Sequence, residues 1–268
     1  MQLHRVLDTL RPLAPEALAE EWDRVGLHVG ALDQTIKRGL LCIDLTEPVV
    51  DEAIRERIDL IVAYHPPIFQ PLTEVTDQHV KPRIVMRLVQ AGIAVYSPHT
   101  ALDAAPEGVN DWLAAGVGEG EVRPIKPAGE DALAEAIGAT GQGRIVELTR
   151  AVTLNTLADR LKKHLGVKHL EVAPPQGATR RIKRIGLCAG AGGSLLDEAG
   201  PIDAFFTGEM RHHDVLAATA AGTAIFLAGH TQTERPYLPT YRQRIAAALG
   251  DAVEWRISKA DRAPSTIR

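Results

Sequence analysis

Residues 38–66 read RGLLCIDLTEPVVDEAIRERIDLIVAYHP, and this stretch is the clearest guide to the architecture. A β-rich run, RGLLCIDL, precedes a helical segment, and a second apolar strand then stops at a polar residue and two prolines. Another helix around residues 81–90 leads to the strand IAVYS, which also ends at a proline. Short continuous apolar runs between helices predict an α/β fold whose parallel sheet is covered on both faces.

Residues 184–210, RIGLCAGAGGSLLDEAGPIDAFFTGEM, repeat this pattern. Cys188 aligns with Cys42 at an offset of 146 positions (188 − 42), and the triplet Asp-Glu-Ala keeps that offset. Asp203 matches Asp59 at an offset of 144, and AVYSPHTALD is echoed by FLAGHTQTE. Four matches in the same order predict two similar, duplicated α/β domains. The alternative is that any two β-α-β units share apolar texture.

The predicted organisation has three parts. Residues 1–122 form the first α/β half, and residues 123–183 form a connecting lobe or small insert, because they contain stretches rich in Pro, Gly, Ala and Glu. Residues 184–268 form the second α/β half and complete the second domain. The last strand of that half is expected in AVEWRIS.

The composition indicates which broad classes of protein this chain can belong to. A hydrophobic fraction of 45% in 268 residues supplies a sizeable core, and the net charge of −4 disfavours nucleic acid or an anionic membrane as the main partner. The two cysteines, Cys42 and Cys188, lie in apolar runs and are expected to be buried thiols. No apolar stretch approaches the ~20 residues that span a bilayer. We therefore expect a cytoplasmic protein.

Potential metal ligands follow three of the predicted strands. They are His65, then His99 with Asp103, and then His230 with Glu234. Each His–carboxylate pair has a spacing of four, which places both side chains on one face if the pair begins a helix. Ligands gather beyond the carboxyl ends of parallel strands, and imidazole with carboxylate suits zinc, iron or manganese. The pattern predicts a divalent metal site.

Each of these elements has a simpler interpretation on its own. A lone His65 is typical of a hydrogen-bonded turn, and one His-x-x-x-Asp pair is equally typical of helix capping. Glu209, His212 and His213 lie in TGEMRHHD, and Glu209 aligns with His65 at an offset of 144. Glu209 is therefore a candidate base or outer partner of the site, with the alternative of a helix-starting acid beside solvated histidines.

Six motifs in order carry a resemblance to a known family. They are WDRVGLHVG, YHPPIF, SPHTALDAAPEGVNDWLA, CAGAGGSLLDEA, TGEMRHHD and GHTQTERP, which run from near Trp22 to near Pro236. Together they resemble the NIF-three-like family (NGG-one-interacting factor three), also known as GTP cyclohydrolase I type 2 homologues. The resemblance implies two similar α/β domains, a dinuclear metal site in the cleft between them and a ring-shaped homohexamer.

The resemblance also implies roles for single residues. It places the family's metal ligands on His65, His99, Asp103, His230 and Glu234, and it implies two divalent ions per chain. Many members have His-His-Pro where this chain has Tyr64 before His65 and a proline. We expect one metal position to be weaker as a result, with Tyr64 as a nearby hydrogen-bonding group. Trp22 and Asp23 are expected to contribute to the cleft, with packing and a helix end as the alternative.

Two functions follow from this resemblance. The first is a metal-dependent hydrolase, GTP cyclohydrolase-like, in which Asp103 or Glu234 bridges the ions, a small-molecule nucleotide is the substrate, and Glu209 or a neighbouring histidine moves protons. Glu209 and Glu234 are the predicted catalytic residues, with His212 and His213 near the cleft. The second is a non-catalytic metal-handling or regulatory ring that interacts with other proteins.

Overall fold

A computed structural model describes residues 1–128, 140–177 and 181–265. The chain forms two compact units, of which unit 1 comprises Met1–Leu102 with Leu238–Arg268 and unit 2 comprises Asp103–Tyr237. Each unit contains a β-sheet and helices, which confirms the predicted fold class of two similar α/β domains. Within the ranges described, no helix is both long enough and apolar enough to cross a membrane.

The regular elements follow one another in chain order. The strands are β1 (Gly26–Val29), β2 (Arg38–Cys42), β3 (Leu60–Ala63), β4 (Ala94–Ser97), β5 (Gly120–Arg123), β6 (Lys126–Pro127), β7 (Gly141–Gln142), β8 (Arg144–Val152), β9 (Glu171–Ala173), β10 (Ile182–Cys188), β11 (Ala204–Thr207), β12 (Ala224–Leu227) and β13 (Glu254–Ile257). The α-helices are α1 (Leu3–Leu10), α2 (Glu47–Arg55), α3 (Val80–Ala91), α4 (His99–Ala104), α5 (Val109–Val117), α6 (Leu154–Leu165), α7 (His212–Ala220), α8 (His230–Glu234) and α9 (Leu238–Leu249). Short 3₁₀ turns lie at Arg11–Leu13, Glu16–Leu18, Gly192–Leu195, Asp197–Ala199, Arg235–Tyr237 and Gly250–Ala252.

The sheet of unit 1 has the strand order β1-β4-β3-β2-β13. Strands β2, β3 and β4 are parallel neighbours, as the sequence predicts, whereas β1 runs antiparallel to β4 at one edge. The core between sheet and helices contains Leu40, Ile61 and Val95 from the strands, packed with Val50 of α2 and Leu88 of α3. Because helices cover strands that are buried, these strands are apolar throughout rather than alternating.

The sheet of unit 2 has the order β5-β8-β10-β11-β12-β9. Strands β10, β11 and β12 are parallel and occupy the places that β2, β3 and β4 hold in unit 1. Antiparallel strands flank them on both sides, with β8 next to β10 and β9 next to β12. Phe205 and Ile225 from the strands pack against Ala218 of α7 in the core of this unit.

The internal repeat is visible in one pair of carboxylates. Asp59 Oδ2 accepts two backbone N–H groups near the start of β2, and Asp203 Oδ2 accepts the matching two near the start of β10, all at 2.8 Å. Such charge-assisted bonds hold the turn before β3 against β2, and the turn before β11 against β10. The two residues are those that the sequence alignment pairs.

The compact units divide the chain at positions other than the predicted boundaries after residues 122 and 183. The predicted lobe 123–183 contains β8, which pairs with both β5 and β10 and so belongs to the sheet of unit 2. Two parts of that lobe, residues 129–139 and 178–180, lie outside the described residues. The predicted last strand returns to unit 1, because β13 pairs in parallel with β2. Its partner is about 200 positions away, so no local pattern indicates it.

Candidate metal centre

The part of the candidate site in unit 1 lies where β3 and β4 end. Tyr64 and His65 directly follow β3, and they continue its pairing through backbone bonds to Cys42 O (2.9 Å) and Ile43 O (3.0 Å). His99 begins α4 just after β4. The ring centroids of His65 and His99 are 5.3 Å apart, and the buried Tyr64 ring lies 5.1 and 5.6 Å from them. Two predicted ligands thus converge at one sheet edge, with Tyr64 beside them.

His99 is held by the buried carboxylate of Asp23. Its Nδ1 donates to Asp23 Oδ1 at 2.7 Å, while Asp23 Oδ2 accepts the backbone N–H (3.1 Å) and the hydroxyl (2.5 Å) of Thr100. Burial alone would raise the pKa of Asp23, but the hydrogen bonds from His99 and Thr100 outweigh it and lower the pKa to about 2. His99 has a φ of +26°, which is strained for a non-glycine residue, and these bonds fix it there.

His65 has a carboxylate partner of the same kind. Asp44 follows β2, the strand next to β3, and its Oδ1 accepts from His65 Nδ1 at 2.9 Å. The imidazole is about one quarter exposed, so it borders solvent rather than the core. A ring that donates Nδ1–H to a carboxylate is in the tautomer whose Nε2 carries the lone pair. Asp44 therefore fixes the tautomer in which Nε2 of His65 could serve as a metal donor.

The part of the site in unit 2 lies where β11 and β12 end. His230 and Glu234 begin and end the short helix α8, and His230 Nε2 is 3.0 Å from Glu234 Oε1. His230 Nδ1 donates to Glu209 Oε1 at 3.0 Å, and Glu209 lies just beyond β11. Among the described side chains, His230 and Glu234 belong to a group of His and Glu residues whose donor atoms lie close enough together for a candidate metal site.

A glycine makes room for this pair. Gly190 follows β10 with a φ of +61°, a left-handed conformation that glycine adopts without strain. A Cβ at this position would lie 2.6 Å from Glu234 Oε1 and 2.9 Å from His230 Nε2. The backbone at Gly190 therefore lies closer to the two candidate ligand atoms than any residue with a side chain would allow. A substituent at Gly190 would occupy the space directly beside the candidate ligands.

The donor atoms in each unit are of types that suit a divalent transition metal. Each of the three histidines places Nδ1 on a carboxylate, from Asp44, Asp23 or Glu209. This carboxylate–imidazole pairing is the usual outer partner of metal-bound histidine, because it fixes the tautomer and raises the basicity of Nε2. Glu234, with its side chain 3% exposed, adds a hard oxygen donor. Nitrogen and oxygen donors of this kind suit zinc, iron or manganese.

The remaining predicted residues have different surroundings. Asp103 is buried on α4, four residues after His99, so the spacing puts both on one helix face. Trp22 is 56% exposed, and its ring lies 6.1 Å from that of His99 in an edge-on contact. His212 and His213 are exposed at the start of α7 and pack on each other at 5.5 Å.

Asp44 is the site residue that the sequence interpretation overlooked. It stands directly after β2, at the same sheet edge as His65 and His99, so the strand-end rule that selected the histidines also applies to it. The repeated His–carboxylate spacing does not include Asp44, because no histidine lies four residues away from it. Its counterpart in the repeat, Gly190, bears no side chain.

Comparison with known proteins settles the family. Residues 1–264 match the family Duf34/NIF3 (NGG1p interacting factor 3). The chain belongs to this family. The NIF3 resemblance drawn from the six motifs is thereby confirmed over nearly the whole chain.

NIF3 relatives with curated names match over most of their length. The protein NIF3 homolog of Schizosaccharomyces pombe is 44% identical over 227 residues, which is 82% of this chain and 80% of the relative. NIF3-like protein 1 of Drosophila melanogaster is 38% identical over 268 residues, 98% of this chain and 88% of the relative. A crystal structure of a Bacillus cereus protein related to NIF3 superposes with a TM-score of 0.87 at 21% identity, covering 100% and 99% of the two chains. At that identity the last match supports the NIF3 fold alone.

Proposed function

We propose that this protein binds two divalent transition-metal ions and uses them in a hydrolytic reaction. The proposed ligands are His65, His99, Asp103, His230 and Glu234. The observation that carries the proposal is the carboxylate on Nδ1 of every one of the three histidines. Histidines in simple turns or helix caps do not need this arrangement, whereas metal ligands generally have it.

The proposed chemistry divides between the ions and the residues around them. Two bound divalent ions supply Lewis-acid activation of water and of a substrate oxygen. Glu209, whose Oε1 accepts from His230, would take up the proton on Oε2 and return it to the leaving group. Glu209 also lines a cavity of about 620 Å³ in unit 2, with Ser194, Met210 and Arg211 among its other walls. We place the substrate in this cavity.

Tyr64 is the position at which this chain departs from the His-His-Pro form. A tyrosine binds metal well only as the phenolate, and the ordinary pKa of tyrosine is ~10. Its ring packs on both His65 and His99, which suits a hydrogen-bonding and packing role beside the metal. We therefore propose that one of the two ions is held more weakly than the other.

Metal analysis tests the binding part of the proposal. The purified chain, reconstituted with Zn²⁺, Mn²⁺ or Fe²⁺ and desalted, should retain one to two equivalents, and the double variant His99→Ala, His230→Ala should lose them. The matched control is His79→Ala, His169→Ala. It likewise removes one histidine from each unit, and both of these histidines are exposed. Equal metal content in the two double variants would overturn the site.

Turnover tests the hydrolase part. A purine nucleotide such as GTP is the first substrate to try, since the family resemblance implies it. Hydrolysis should stop on chelation, return on addition of metal and fall sharply in Glu234→Ala. Activity that survives chelation, or that is unchanged in Glu234→Ala, would contradict a metal-dependent hydrolase.

A non-catalytic metal-handling or regulatory ring is the second candidate. The observation in its favour is the family description itself, NGG1p interacting factor 3, which names a protein interaction for those relatives. Metal binding without turnover of any nucleotide would favour this function. Both candidates include the ring-shaped hexamer, for which sedimentation should give a mass about six times the 28.9 kDa of the chain. A mass near 28.9 kDa would contradict the ring.

A further inference from the structure

The C-terminal segment 258–261 contacts the end of β2, where Asp44 holds the proposed metal ligand His65. It follows β13, and its first residue continues the pairing with β2 through Ser258 N to Leu41 O at 2.8 Å. Asp261 then presents its carboxylate to the end of β2, where Oδ2 accepts the N–H of Ile43 at 2.7 Å and Oδ1 accepts the N–H of Asp44 at 3.3 Å. Asp261 is only 5% exposed, so its side chain is buried against this strand end.

The two residues that Asp261 binds are the two that hold His65. The carbonyl of Ile43 accepts the backbone N–H of His65 at 3.0 Å, and the carboxylate of Asp44 accepts its Nδ1–H at 2.9 Å. Both the main chain and the ring of His65 thus depend on a dipeptide whose own N–H groups are fixed by Asp261. A buried carboxylate that accepts two backbone N–H groups also stabilises their local conformation.

The segment itself is fixed from its other side by α2. Glu52, which is 2% exposed, accepts the hydroxyl of Ser258 at 2.5 Å and the backbone N–H groups of Lys259 and Ala260 at 3.0 and 3.1 Å. The Ser258 hydroxyl in turn accepts the N–H of Asp261 at 3.0 Å. These contacts fix the segment that carries the Asp261 carboxylate at the end of β2.

We infer that Asp261 is a positioning residue for the metal ligand His65, acting through Ile43 and Asp44. This inference rests on the proposed metal site and adds to it a residue more than 190 positions from His65 along the chain. In unit 2 the matching N–H groups, of Ala189 and Gly190, are accepted by neutral groups of Asn110 and Thr233, both at 2.9 Å. The acceptor is thus charged in unit 1, where the dipeptide Ile43-Asp44 orients an imidazole, and neutral in unit 2.

Co²⁺ binding to the complete chain tests the inference. Asp261→Asn keeps the size of the side chain but weakens its acceptor strength, and it should reduce Co²⁺ affinity on the order of tenfold, as removal of outer partners does. The matched control is Asp59→Asn, which removes a carboxylate from two N–H groups at the opposite end of the same strand. Both variants should lower the denaturation midpoint, and only Asp261→Asn should weaken Co²⁺ binding.

A double-variant cycle distinguishes positioning from general damage. In a His65→Ala background, Asp261→Asn should have no further effect on Co²⁺ affinity, since its target is gone. An unchanged effect in that background, or equal losses in Asp261→Asn and Asp59→Asn, would overturn the inference. Ser258→Ala, which loosens the segment and keeps the carboxylate, should weaken Co²⁺ binding in the same direction by a smaller factor if Asp261→Asn fails to fold.

A metal-free readout separates this inference from the proposed function. The His65 Nδ1 proton should give a slowly exchanging NMR signal in the wild-type apoprotein and exchange faster in Asp261→Asn. A wild-type chain that binds no Co²⁺ overturns the metal site, and the Nδ1–H signal then decides the positioning role by itself. Identical exchange in the two apoproteins overturns the positioning role even if Co²⁺ binds.

Discussion

Strand β2 of unit 1 and strand β10 of unit 2 hold equivalent places in their sheets, and they are treated alike at one end and differently at the other. Near their starts, Asp59 and Asp203 accept matching pairs of N–H groups with the same distances. Just beyond their ends, unit 1 has Asp44, which orients His65, whereas unit 2 has Gly190, which makes room for His230 and Glu234. The shared contacts at the strand starts stabilise the fold, whereas the residues that differ beyond the strand ends shape the candidate site.

A second pair of equivalent residues lies two positions beyond β3 and β11, and it also differs between the units. His65 in unit 1 is a proposed ligand with a carboxylate partner, and its counterpart Glu209 is itself the carboxylate partner of a proposed ligand, His230. Ligand and partner have thus exchanged positions between the two units while the pairing chemistry stays constant. A duplicated scaffold can supply different donors at equivalent places because these side chains lie outside the packed core.

The largest expected effect on stability is at Asp23, the carboxylate partner of His99, and it is compared with Glu209, the carboxylate partner of His230. Both substitutions to alanine should weaken Co²⁺ binding by roughly 10–100-fold, because each releases the imidazole it orients. Asp23→Ala should also lower the free energy of unfolding by about 3 kcal/mol, since it removes a fully buried charged acceptor. Glu209 is 59% exposed, so Glu209→Ala should change stability by about 0.5 kcal/mol or less. Urea denaturation of the apoproteins and Co²⁺ titration measure the two quantities, and equal stability losses would contradict the comparison.

A middle-sized effect is expected at Glu52, whose aligned residue in unit 2 is the exposed Glu198. Burial would raise the pKa of Glu52, but hydrogen bonds from Ser258 and the following N–H groups outweigh it and hold the pKa below the ordinary 4.5. Glu52→Gln should cost about 2 kcal/mol of stability at neutral pH, whereas Glu198→Gln should cost almost nothing.

The pH dependence of this difference has a definite sign. A carboxyl group with a lowered folded-state pKa stabilises the protein above its unfolded pKa, and this contribution is lost as the pH falls through the folded value. The stability gap between wild type and Glu52→Gln should therefore be full at pH 7 and shrink below about pH 4.5. Thermal unfolding from pH 7 to pH 3 would show this, and a gap that widens on acidification would disprove the assignment.

The stability loss expected at Gly190 is smaller than those expected for Asp23→Ala and Glu52→Gln. Gly190→Ala should cost about 1–2 kcal/mol, because alanine is strained at a φ of +61°, and it should weaken Co²⁺ binding about tenfold because its Cβ meets Glu234 and His230. Gly166→Ala is the control, since Gly166 has a φ of +70° and open space around it. The control should show the stability cost with unchanged Co²⁺ affinity, and a loss of affinity in both would argue against a local clash.

Local patterns in the sequence predict much of this fold and part of the site. The strands β2, β3 and β4 are continuous apolar runs, and His65, His99 and His230 follow strands at predictable places. The triplet Asp-Glu-Ala reveals the repeat. It cannot reveal that Glu52 is buried against the C-terminal segment while Glu198 is exposed, because that difference depends on which residues fold over each helix or turn.

Long-range pairings account for the rest. Asp261 is 217 positions beyond Asp44, and only the parallel pairing of β13 with β2 brings it to that strand end. The same pairing explains why the compact units differ from the predicted boundaries. Sequence periodicity reports which face of an element is buried, and it contains no information about which distant element covers that face.

The return of the last strand to unit 1 has a consequence for synthesis on the ribosome. Unit 2 is continuous, from Asp103 to Tyr237, so every contact inside it is available before residues 238–268 are made. Since domains generally fold as units in the order of synthesis, protease protection of stalled nascent chains should appear in unit 2 before unit 1. Ile43 and Asp44 gain their contacts with Asp261 only after that, so the backbone on which His65 rests is completed near the end of synthesis.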